Sequence, residues 1–340
     1  MKVRASLVRK AIHLPEFLVD RPLELPDRLA IQPDDVRAAA ERVRRLAKRT
    51  PVLNSPAFDA EAGMRVFFKC ENLQVGGAFK IRGASNLILS LTDTSRGVVA
   101  YSSGNHAQAT VIAARYVGAQ ATIVMPEDAP RSKMDVTRAQ GARIVTYDRR
   151  TESREQIAAG LLQETGATLV PPFDHPMIMA GQGTTALELL DETGPLDALI
   201  TPVGGGGLLS GCATIAKDLQ PAIRVFGAEP EGANDTFLSL VAGQRVAVEP
   251  DTIADGLRAP KPGELTFPII KRLVEQILLV NDDEIRAAVK FLLLRLKILV
   301  EPSGAVGAAA VLFHRLPPEL NSIGVVLSGG NIDWEDLMAY

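Results

Sequence analysis

The sequence predicts an α/β protein with two open, twisted, mostly parallel sheets that carry helices on both faces. Short β-branched runs alternate with longer helix-compatible stretches, which is typical of parallel strands joined by crossover helices. The runs are RVFFKCE, GVVAYS, ATIVMP, ARIVTYD, ATLVPP, DALITPV, IRVFGAE, ILLVND and SIGVVLSGG. Those between Gly97 and Pro172 follow one another closely enough to build a small sheet of their own.

The spacing of these runs predicts a small domain inserted into a large one. With 340 residues, the chain is longer than one hydrophobic core usually serves. We place the small domain at residues 97–173 and the large domain at residues 34–96 and 174–340, with the active site in the cleft between them. Residues 1–33 do not join the alternating pattern and are interpreted as an N-terminal extension.

Composition and charge narrow the classes of partner. A net charge of −3 and a pI near 5.9 leave no basic surface for a phosphate backbone, so nucleic acid is not expected as a partner. Cys70 and Cys212 lie far apart without a CxxC pattern, which argues against a disulfide framework or a zinc site and favours reduced thiols in the cytoplasm. No secretory signal or membrane span is recognisable, so we expect no membrane association.

Lys80 stands in the stretch GAFKIRGA, and two interpretations of it are open. Most lysines at the start of a helix simply extend their ammonium group into water. The alternative is a nucleophilic amine whose pKa is lowered by apolar surroundings, so that it can form a Schiff base with a carbonyl compound.

A run of four glycines, Gly204, Gly205, Gly206 and Gly207, follows the strand run DALITPV and precedes a helix pattern. A tight turn needs only one glycine, whereas backbone N–H groups that surround an anion at a helix N-terminus explain the whole run. The spacing GxGxxG of dinucleotide sites is not met in any register, and GxxxxGK[ST] is absent. The sequence therefore favours a cofactor with a single phosphate.

Two further polar turns also follow strand runs and complete the pattern. SSGNHAQA, residues 102–109, offers hydroxyl, amide and N–H groups that suit a carboxylate, although His106 alone is more often a structural cap. LSGGN, residues 327–331, places the hydroxyl of Ser328 where it could meet a ring nitrogen. An amine, a phosphate-binding turn, a carboxylate-binding loop and a neutral hydroxyl together describe a pyridoxal phosphate site.

From about Ile31 to Asp333, the chain resembles the fold-type II pyridoxal phosphate enzymes of the serine/threonine dehydratase and serine racemase family, whose fold is like that of the tryptophan synthase β chain. GAFKIRGA, SSGNHAQA, PVGGGGLLSG, EPSGA and LSGGN occur in that family's order and at its approximate spacing. The joint match of five motifs is highly specific, whereas each motif alone would be weak.

The resemblance implies a role for each motif residue. Lys80 would carry the cofactor as a Schiff base, Phe79 would pack on its ring, Asn105 would bond its phenolic oxygen, and Ser328 would face the pyridine nitrogen. The four glycines would hold the phosphate. The substrate would contact Ser103, and its carboxylate would be held by Ser102, Gly104, Asn105 and His106.

The resemblance also implies elimination as the reaction. A hydroxyl beside the pyridine nitrogen, unlike a carboxylate, does not stabilise a protonated ring, which favours prompt loss of a β-substituent. We therefore expect an ammonia-lyase that converts L-threonine, L-serine or 3-hydroxyaspartate into a 2-oxo acid and ammonia. Serine racemase with side elimination is the alternative, and a noncatalytic amino-acid sensor of the same fold is an alternative from another class.

Two residues bear on the choice of substrate by resemblance. Ser103 matches the position where serine racemases keep a catalytic hydroxyl on the ring face opposite the lysine, but a small helix-cap residue would also fit there. Arg154 matches a position where relatives that handle a β-carboxylate keep arginine, although it could also be a solvated arginine in a charged run. Together they point to 3-hydroxyaspartate with some serine racemisation.

The turn EPEGAND resembles the divalent-cation loop of the same family. Its candidate ligands are the carboxylates of Glu229 and Asp235 and the carbonyl of Ala233, which as hard oxygen donors suit Mg²⁺, Mn²⁺ or Ca²⁺. From the residues alone it would be a simple acidic turn. Because dimers are usual in this family, the resemblance also implies a homodimer.

Overall fold

The computed structural model describes residues 26, 28–129, 131–338 and 340, in which the strands and helices have the following bounds. The strands are β1 (Val52–Leu53), β2 (Arg65–Cys70), β3 (Val98–Tyr101), β4 (Ala121–Pro126), β5 (Arg143–Tyr147), β6 (Thr168–Leu169), β7 (Ala198–Pro202), β8 (Arg224–Pro230), β9 (Gln276–Val280) and β10 (Ser322–Leu327). The α-helices are α1 (Pro33–Val43), α2 (Pro56–Ala62), α3 (Lys80–Ile88), α4 (Asn105–Tyr116), α5 (Arg131–Ala139), α6 (Arg154–Thr165), α7 (Pro176–Thr193), α8 (Gly207–Leu219), α9 (Asp235–Ala242), α10 (Thr266–Leu273), α11 (Asp282–Phe291), α12 (Pro302–Leu312) and α13 (Trp334–Met338). The predicted N-terminal extension, residues 1–33, lies mostly outside the described residues.

The strands form one sheet in the order β1-β2-β10-β7-β8-β9 and a second in the order β5-β4-β3-β6. Neighbouring strands are parallel, except that β1 pairs with β2 in the antiparallel direction. Each predicted strand run forms a strand, and the predicted mostly parallel architecture is confirmed. Strand β1 has no counterpart in the prediction because two residues are too few to show a periodic pattern.

The six-stranded sheet is buried on both faces. Successive side chains of a strand point to opposite faces, and in β7 Leu199 packs with helices α7 and α8, whereas Ile200 packs with helix α12. Both side chains are fully buried. Cover on both faces is the reason why its strand runs are continuously apolar instead of alternating.

The four-stranded sheet has its own core. Helices α3 and α4 cover one face, and helix α6 covers the other through Ala158, which packs with Val99 and Val124. Helix α3 precedes residue 97 but contributes Ile81 and Leu87 to this core. This core thus includes residues from outside the predicted small domain, and the boundaries at residues 97 and 173 stay a prediction.

Helices α3 and α8 both press against helix α7 at glycines, close enough for backbone to meet backbone. A Cβ atom added to Gly181 of α7 would lie 2.5 Å from the carbonyl oxygen of Arg82 in α3. On the same helix, a Cβ added to Gly183 would lie 2.7 Å from the carbonyl oxygen of Gly211 in α8. The absence of side chains at these positions sets the spacing of the three helices.

Cys70 and Cys212 are buried free thiols. None of the helices in the described residues combines the length and the apolar character needed to cross a bilayer.

The close helix contacts lead to a prediction about stability. Replacement Gly181→Ala should lower the free energy of unfolding by about 1–3 kcal/mol, because the new methyl group must displace backbone atoms of α3. Gly160→Ala is the matched control, since Gly160 also lies inside a helix but has no atom within 4 Å of the added Cβ. We expect it to stabilise the protein by roughly 0.5–1 kcal/mol. Urea unfolding of both variants measures the difference, and equal effects would contradict the proposed spacing role.

Candidate active site

The loops that carry the sequence motifs begin at the carboxyl ends of parallel strands, where ligand clefts of α/β proteins lie. Strands β3, β7 and β10 end at Tyr101, Pro202 and Leu327, directly before the three polar or glycine-rich loops. These loops and the start of helix α3 surround a pocket of about 250 Å³. The predicted cofactor and substrate residues that line it are Phe79, Lys80, Ser102, Ser103, Gly104, Asn105, His106, Arg154, Gly204, Gly205, Gly206, Gly207 and Ser328.

Lys80 is placed by a short backbone pairing between two of the motifs. Ala78 forms an antiparallel bridge with Gly329, and the N–H of Phe79 donates to the carbonyl oxygen of Ser328 at 3.0 Å. Helix α3 begins at the next residue, so Lys80 is the first helical residue beyond a fixed segment. GAFK and LSGG, far apart in sequence, therefore form one wall of the pocket.

The amine of Lys80 is surrounded by protein although the residue keeps accessible surface in the pocket. Its Nζ donates a hydrogen bond to the carbonyl oxygen of Pro172 at 2.8 Å and lies 5.1 Å from the ring centroid of Phe79. Burial lowers the pKa of Lys80 to about 8, while the charge of Glu301 acts in the opposite direction. The amine is thus much more often neutral near pH 7 than that of an exposed lysine, as a nucleophile requires.

Asn105, the first residue of helix α4, takes part in a chain of side-chain hydrogen bonds at the pocket wall. Its Nδ2 donates to Oε1 of Glu301 at 2.7 Å, and its Oδ1 accepts from Nδ2 of Asn331 at 2.8 Å. Both distances are those of well-formed hydrogen bonds, so the orientation of the Asn105 amide is defined on both sides.

His106 is buried, and its imidazole is used inside the protein. The Nε2 atom lies 2.8 Å from the carbonyl oxygen of Val170. Burial, with a smaller effect from the charge of Lys80, lowers the pKa of His106 to about 3, so the ring is neutral and its Nε2–H donates to that carbonyl. The side chain anchors the loop, in agreement with the structural interpretation of this histidine.

The glycine turn between β7 and α8 has no room for side chains. A Cβ on Gly205 would lie 2.4 Å from the ring of Phe173, and one on Gly206, whose φ is +91°, would lie 2.7 Å from Cδ1 of Ile270. The N–H groups at the start of an α-helix have no acceptor within the helix, and all four glycines of this turn line the pocket. The turn therefore offers backbone donors to an anion without competing side chains.

Arg154 reaches the same pocket from the start of helix α6. Its guanidinium carbon lies 5.2 Å from the ring centroid of Tyr101, and its Nε donates to Oε1 of Glu155 at 2.8 Å. The side chain remains 40% exposed, so it is open to a ligand. The structure thus brings a cation to the pocket that contains Lys80.

Comparison with known proteins gives the family. A family model described as pyridoxal-phosphate dependent enzyme matches residues 43–329. The chain belongs to this family. It is 48% identical over 304 residues to an L-threo-3-hydroxyaspartate ammonia-lyase from Pseudomonas sp., covering 88% of this chain and 95% of that protein. It is 46% identical over 305 residues to a serine racemase from Schizosaccharomyces pombe, covering 89% of this chain and 94% of that protein.

A solved structure agrees with this assignment. The structure of maize serine racemase matches with a TM-score of 0.88 and 44% sequence identity, covering 91% of this chain and 96% of that chain. The predicted fold type II architecture and family are therefore confirmed. As a member of this family with ammonia-lyase relatives, the chain is a pyridoxal phosphate-dependent enzyme.

The residues in the pocket fit the cofactor of this family. Pyridoxal phosphate presents an aldehyde, an aromatic ring and a phosphate. The pocket offers the amine of Lys80 for the first, the ring of Phe79 beside it for the second, and the side-chain-free turn 204–207 for the third.

The predicted metal residues do not line this pocket: Glu229 lies at the end of strand β8, and Ala233 and Asp235 follow the strand. Glu229 and Asp235 are both fully buried, and Glu229 accepts hydrogen bonds from the N–H groups of Thr236 and Phe237 at 3.1 and 2.9 Å. Neither carboxylate oxygen of Asp235 accepts a hydrogen bond within the described part of the chain. Burial raises the pKa of Asp235 to about 7, and burial together with Asp235 raises that of Glu229. A bound cation would satisfy such oxygens, so the turn fits a divalent ion.

The described residues show no group of three or more His, Cys, Asp or Glu side chains that could hold a metal ion. Any ion at this turn would therefore draw its remaining ligands from backbone carbonyls, such as that of the buried Ala233, and from water.

Several pocket residues have no individual role in the sequence analysis. The irregular connection between helices α9 and α10 contributes Asp255, Gly256 and Arg258 to the pocket. Glu301 lies in the motif EPSGA, but only the structure shows that it meets Asn105. The remaining additional lining residues are Tyr101, Gln108, Pro172, Phe173, Gln182, Pro202, Leu208, Leu257, Ala259, Ser303 and Asn331.

Proposed function

We propose that this protein is a pyridoxal phosphate-dependent ammonia-lyase for small β-hydroxy amino acids, with 3-hydroxyaspartate as its preferred substrate. The observation that carries the preference is the position of Arg154, an exposed cation on the wall of the pocket that contains Lys80. Serine and threonine have no second carboxylate for this cation to bind. The similarity to an L-threo-3-hydroxyaspartate ammonia-lyase supports the same choice.

Each residue of the pocket takes a defined role in this proposal. Lys80 holds the cofactor through its aldehyde, Phe79 packs on its ring, Asn105 bonds its phenolic oxygen, and Ser328 faces its pyridine nitrogen. The N–H groups of residues 204–207 bind the phosphate. When bound, the cofactor withdraws electrons from the substrate Cα, which makes removal of the Cα proton and loss of the β-hydroxyl possible.

The protein directs this chemistry by holding the substrate and moving protons. The α-carboxylate is bound by the loop Ser102–His106, chiefly through N–H and hydroxyl groups, because the imidazole of His106 already serves Val170. Once the substrate amine displaces Nζ of Lys80 from the aldehyde carbon, the freed amine would take the Cα proton, and burial, which lowers its pKa to about 8, would let it release this proton again near neutral pH. The overall products are a 2-oxo acid and ammonia.

Serine racemisation is a second candidate activity, and the hydroxyl of Ser103 is the observation that favours it. Ser103 lines the pocket that also contains Lys80, so a second proton-transfer group is available there. Relatives named serine racemase give independent support. In this proposal the same chain carries out elimination and racemisation, and the hydroxyl of Ser103 sets the balance between the two.

We further propose that the turn containing Glu229, Ala233 and Asp235 binds Mg²⁺, Mn²⁺ or Ca²⁺. The proposal rests on the two buried oxygens of Asp235 without a described partner and on the neighbouring buried carboxylate of Glu229. The homodimer rests on the resemblance alone and stays a prediction.

A substrate panel tests the proposed activity. The ratio of kcat/KM for L-threo-3-hydroxyaspartate to that for L-threonine should fall by about 10- to 100-fold in Arg154→Gln, because a charge-assisted hydrogen bond is lost. Arg150→Gln is the control, since Arg150 lies in the same charged run but is exposed and does not line the pocket. Release of 2-oxo acid and appearance of D-serine are measured in parallel. A chain that racemises serine faster than it releases 2-oxo acid from any substrate would favour the second candidate.

Titration with Mn²⁺ tests the cation site. Replacement Asp235→Asn should weaken Mn²⁺ binding by about tenfold or more, because it removes a charged ligand. Glu231→Gln is the matched control, since Glu231 belongs to the same turn but is exposed. Isothermal titration calorimetry measures both. If Asp235→Asn binds Mn²⁺ as tightly as the control variant does, the cation is held elsewhere.

A further inference from the structure

Two neighbours restrain Arg154, and each contacts a different part of its guanidinium group. The ring of Tyr101 lies against its face, with 5.2 Å between the guanidinium carbon and the ring centroid. The carboxylate of Glu155 accepts from Nε at 2.8 Å. Within the described part of the chain, the terminal Nη1 and Nη2 groups donate no hydrogen bond. These two groups are therefore the hydrogen-bond donors of Arg154 that remain available to a ligand.

Both restraints come from rigid elements. Tyr101 is the last residue of β3, which pairs with β4 on one side and β6 on the other. Arg154 and Glu155 begin helix α6, whose N-cap residue Ser153 accepts a hydrogen bond from the N–H of Gln156 at 3.3 Å. A free arginine side chain has many rotamers, and fixing it in advance lowers the entropy lost when a ligand binds.

The contact with Glu155 also selects a geometry. A carboxylate can bind a guanidinium group side-on, through Nε and one Nη, or end-on, through both Nη groups. Because Glu155 occupies Nε, the end-on arrangement remains. The pair itself is solvated, with 40% and 55% of the two side chains exposed, so it orients Arg154 without fully neutralising it.

We propose that Tyr101 and Glu155 are positioning residues that preset Arg154 for end-on, bidentate binding of the β-carboxylate of a dicarboxylic substrate. The inference rests on the proposed function and extends it to residues outside the sequence motifs. Specificity for hydroxyaspartate over serine then depends on the aromatic face of Tyr101 as well as on the charge of Arg154.

The first test measures specificity. In Tyr101→Leu, the ratio of kcat/KM for L-threo-3-hydroxyaspartate to that for L-serine should fall about fivefold or more, mainly through KM, because the cation–π contact is lost. Tyr101→Phe keeps the ring face and should retain most of the ratio. In an Arg154→Gln background, Tyr101→Leu should cause no further fall. A fall that persists in that background would overturn the inference, because the effect would then not act through Arg154.

Direct binding of succinate to the holoenzyme separates the inference from the proposed function. We expect Arg154→Gln and Tyr101→Leu each to raise the dissociation constant about fivefold or more, with Tyr101→Phe close to the wild type, as measured by calorimetry. If these results hold but hydroxyaspartate is not turned over, the proposed function fails and the positioning role stands. If Arg154→Gln weakens binding and Tyr101→Leu does not, the positioning role fails. If the wild-type protein does not bind succinate, or if Arg154→Gln binds it as tightly as the wild type does, both the proposed function and the positioning role are contradicted.

Glu155→Gln tests the other restraint. The amide oxygen can still accept from Nε and keep Arg154 oriented, so the specificity ratio should stay at or above the wild-type value. Glu155→Leu removes the acceptor and should lower the ratio. Equal losses in both variants would show that the charge of Glu155, and not its hydrogen bond, matters, and would contradict its positioning role.

Discussion

Backbone-to-backbone packing of helices α3 and α8 against helix α7 is the constraint on which the active site depends. Lys80 begins α3, and the glycine turn ends at the first residue of α8, so the spacing of these helices sets the distance between the amine and the glycine turn. Gly181 and Gly183 allow this spacing because neither carries a side chain at its contact. The positions of the amine and of the glycine turn are thus coupled through helix α7.

A buried charge network also restrains helix α3. Arg82 is fully buried and donates to Glu71 and to Glu188, in each case at 2.8 Å, while Nζ of Lys69 lies 2.7 Å from Glu188. Two cations and two carboxylates balance one another there. Such a network is weak evidence for added stability, but removing one partner leaves an uncompensated buried charge. It therefore fixes the orientation of α3, and with it the direction of Lys80.

Much of the fold and of the pocket could be predicted from the sequence. Continuous apolar runs identify strands buried on both faces, and parallel strands bring the loops that follow them to one edge of the sheet. For this reason SSGNHAQA, the glycine run and LSGGN converge on Lys80 in the structure. Composition and spacing also separate a phosphate-binding turn from a dinucleotide site.

Other features depend on contacts that no local pattern encodes. The stacking of Arg154 on Tyr101 joins two elements distant in sequence, and the hydrogen bond from Asn105 to Glu301 joins the start of helix α4 to the residue that precedes helix α12. The packing of helix α3 on the four-stranded sheet likewise follows from tertiary structure, which is why the division at residue 97 cannot be read from strand spacing.

We propose that the buried amine of Lys80 and the glycine turn bind one cofactor between them. The most direct measurement is mass spectrometry of the purified holoenzyme after borohydride reduction and proteolysis. We expect one phosphopyridoxyl group per chain, attached to Nζ of Lys80, and none on the Lys80→Ala protein. A label on a different lysine, or a cofactor that borohydride does not attach to the chain, would contradict it.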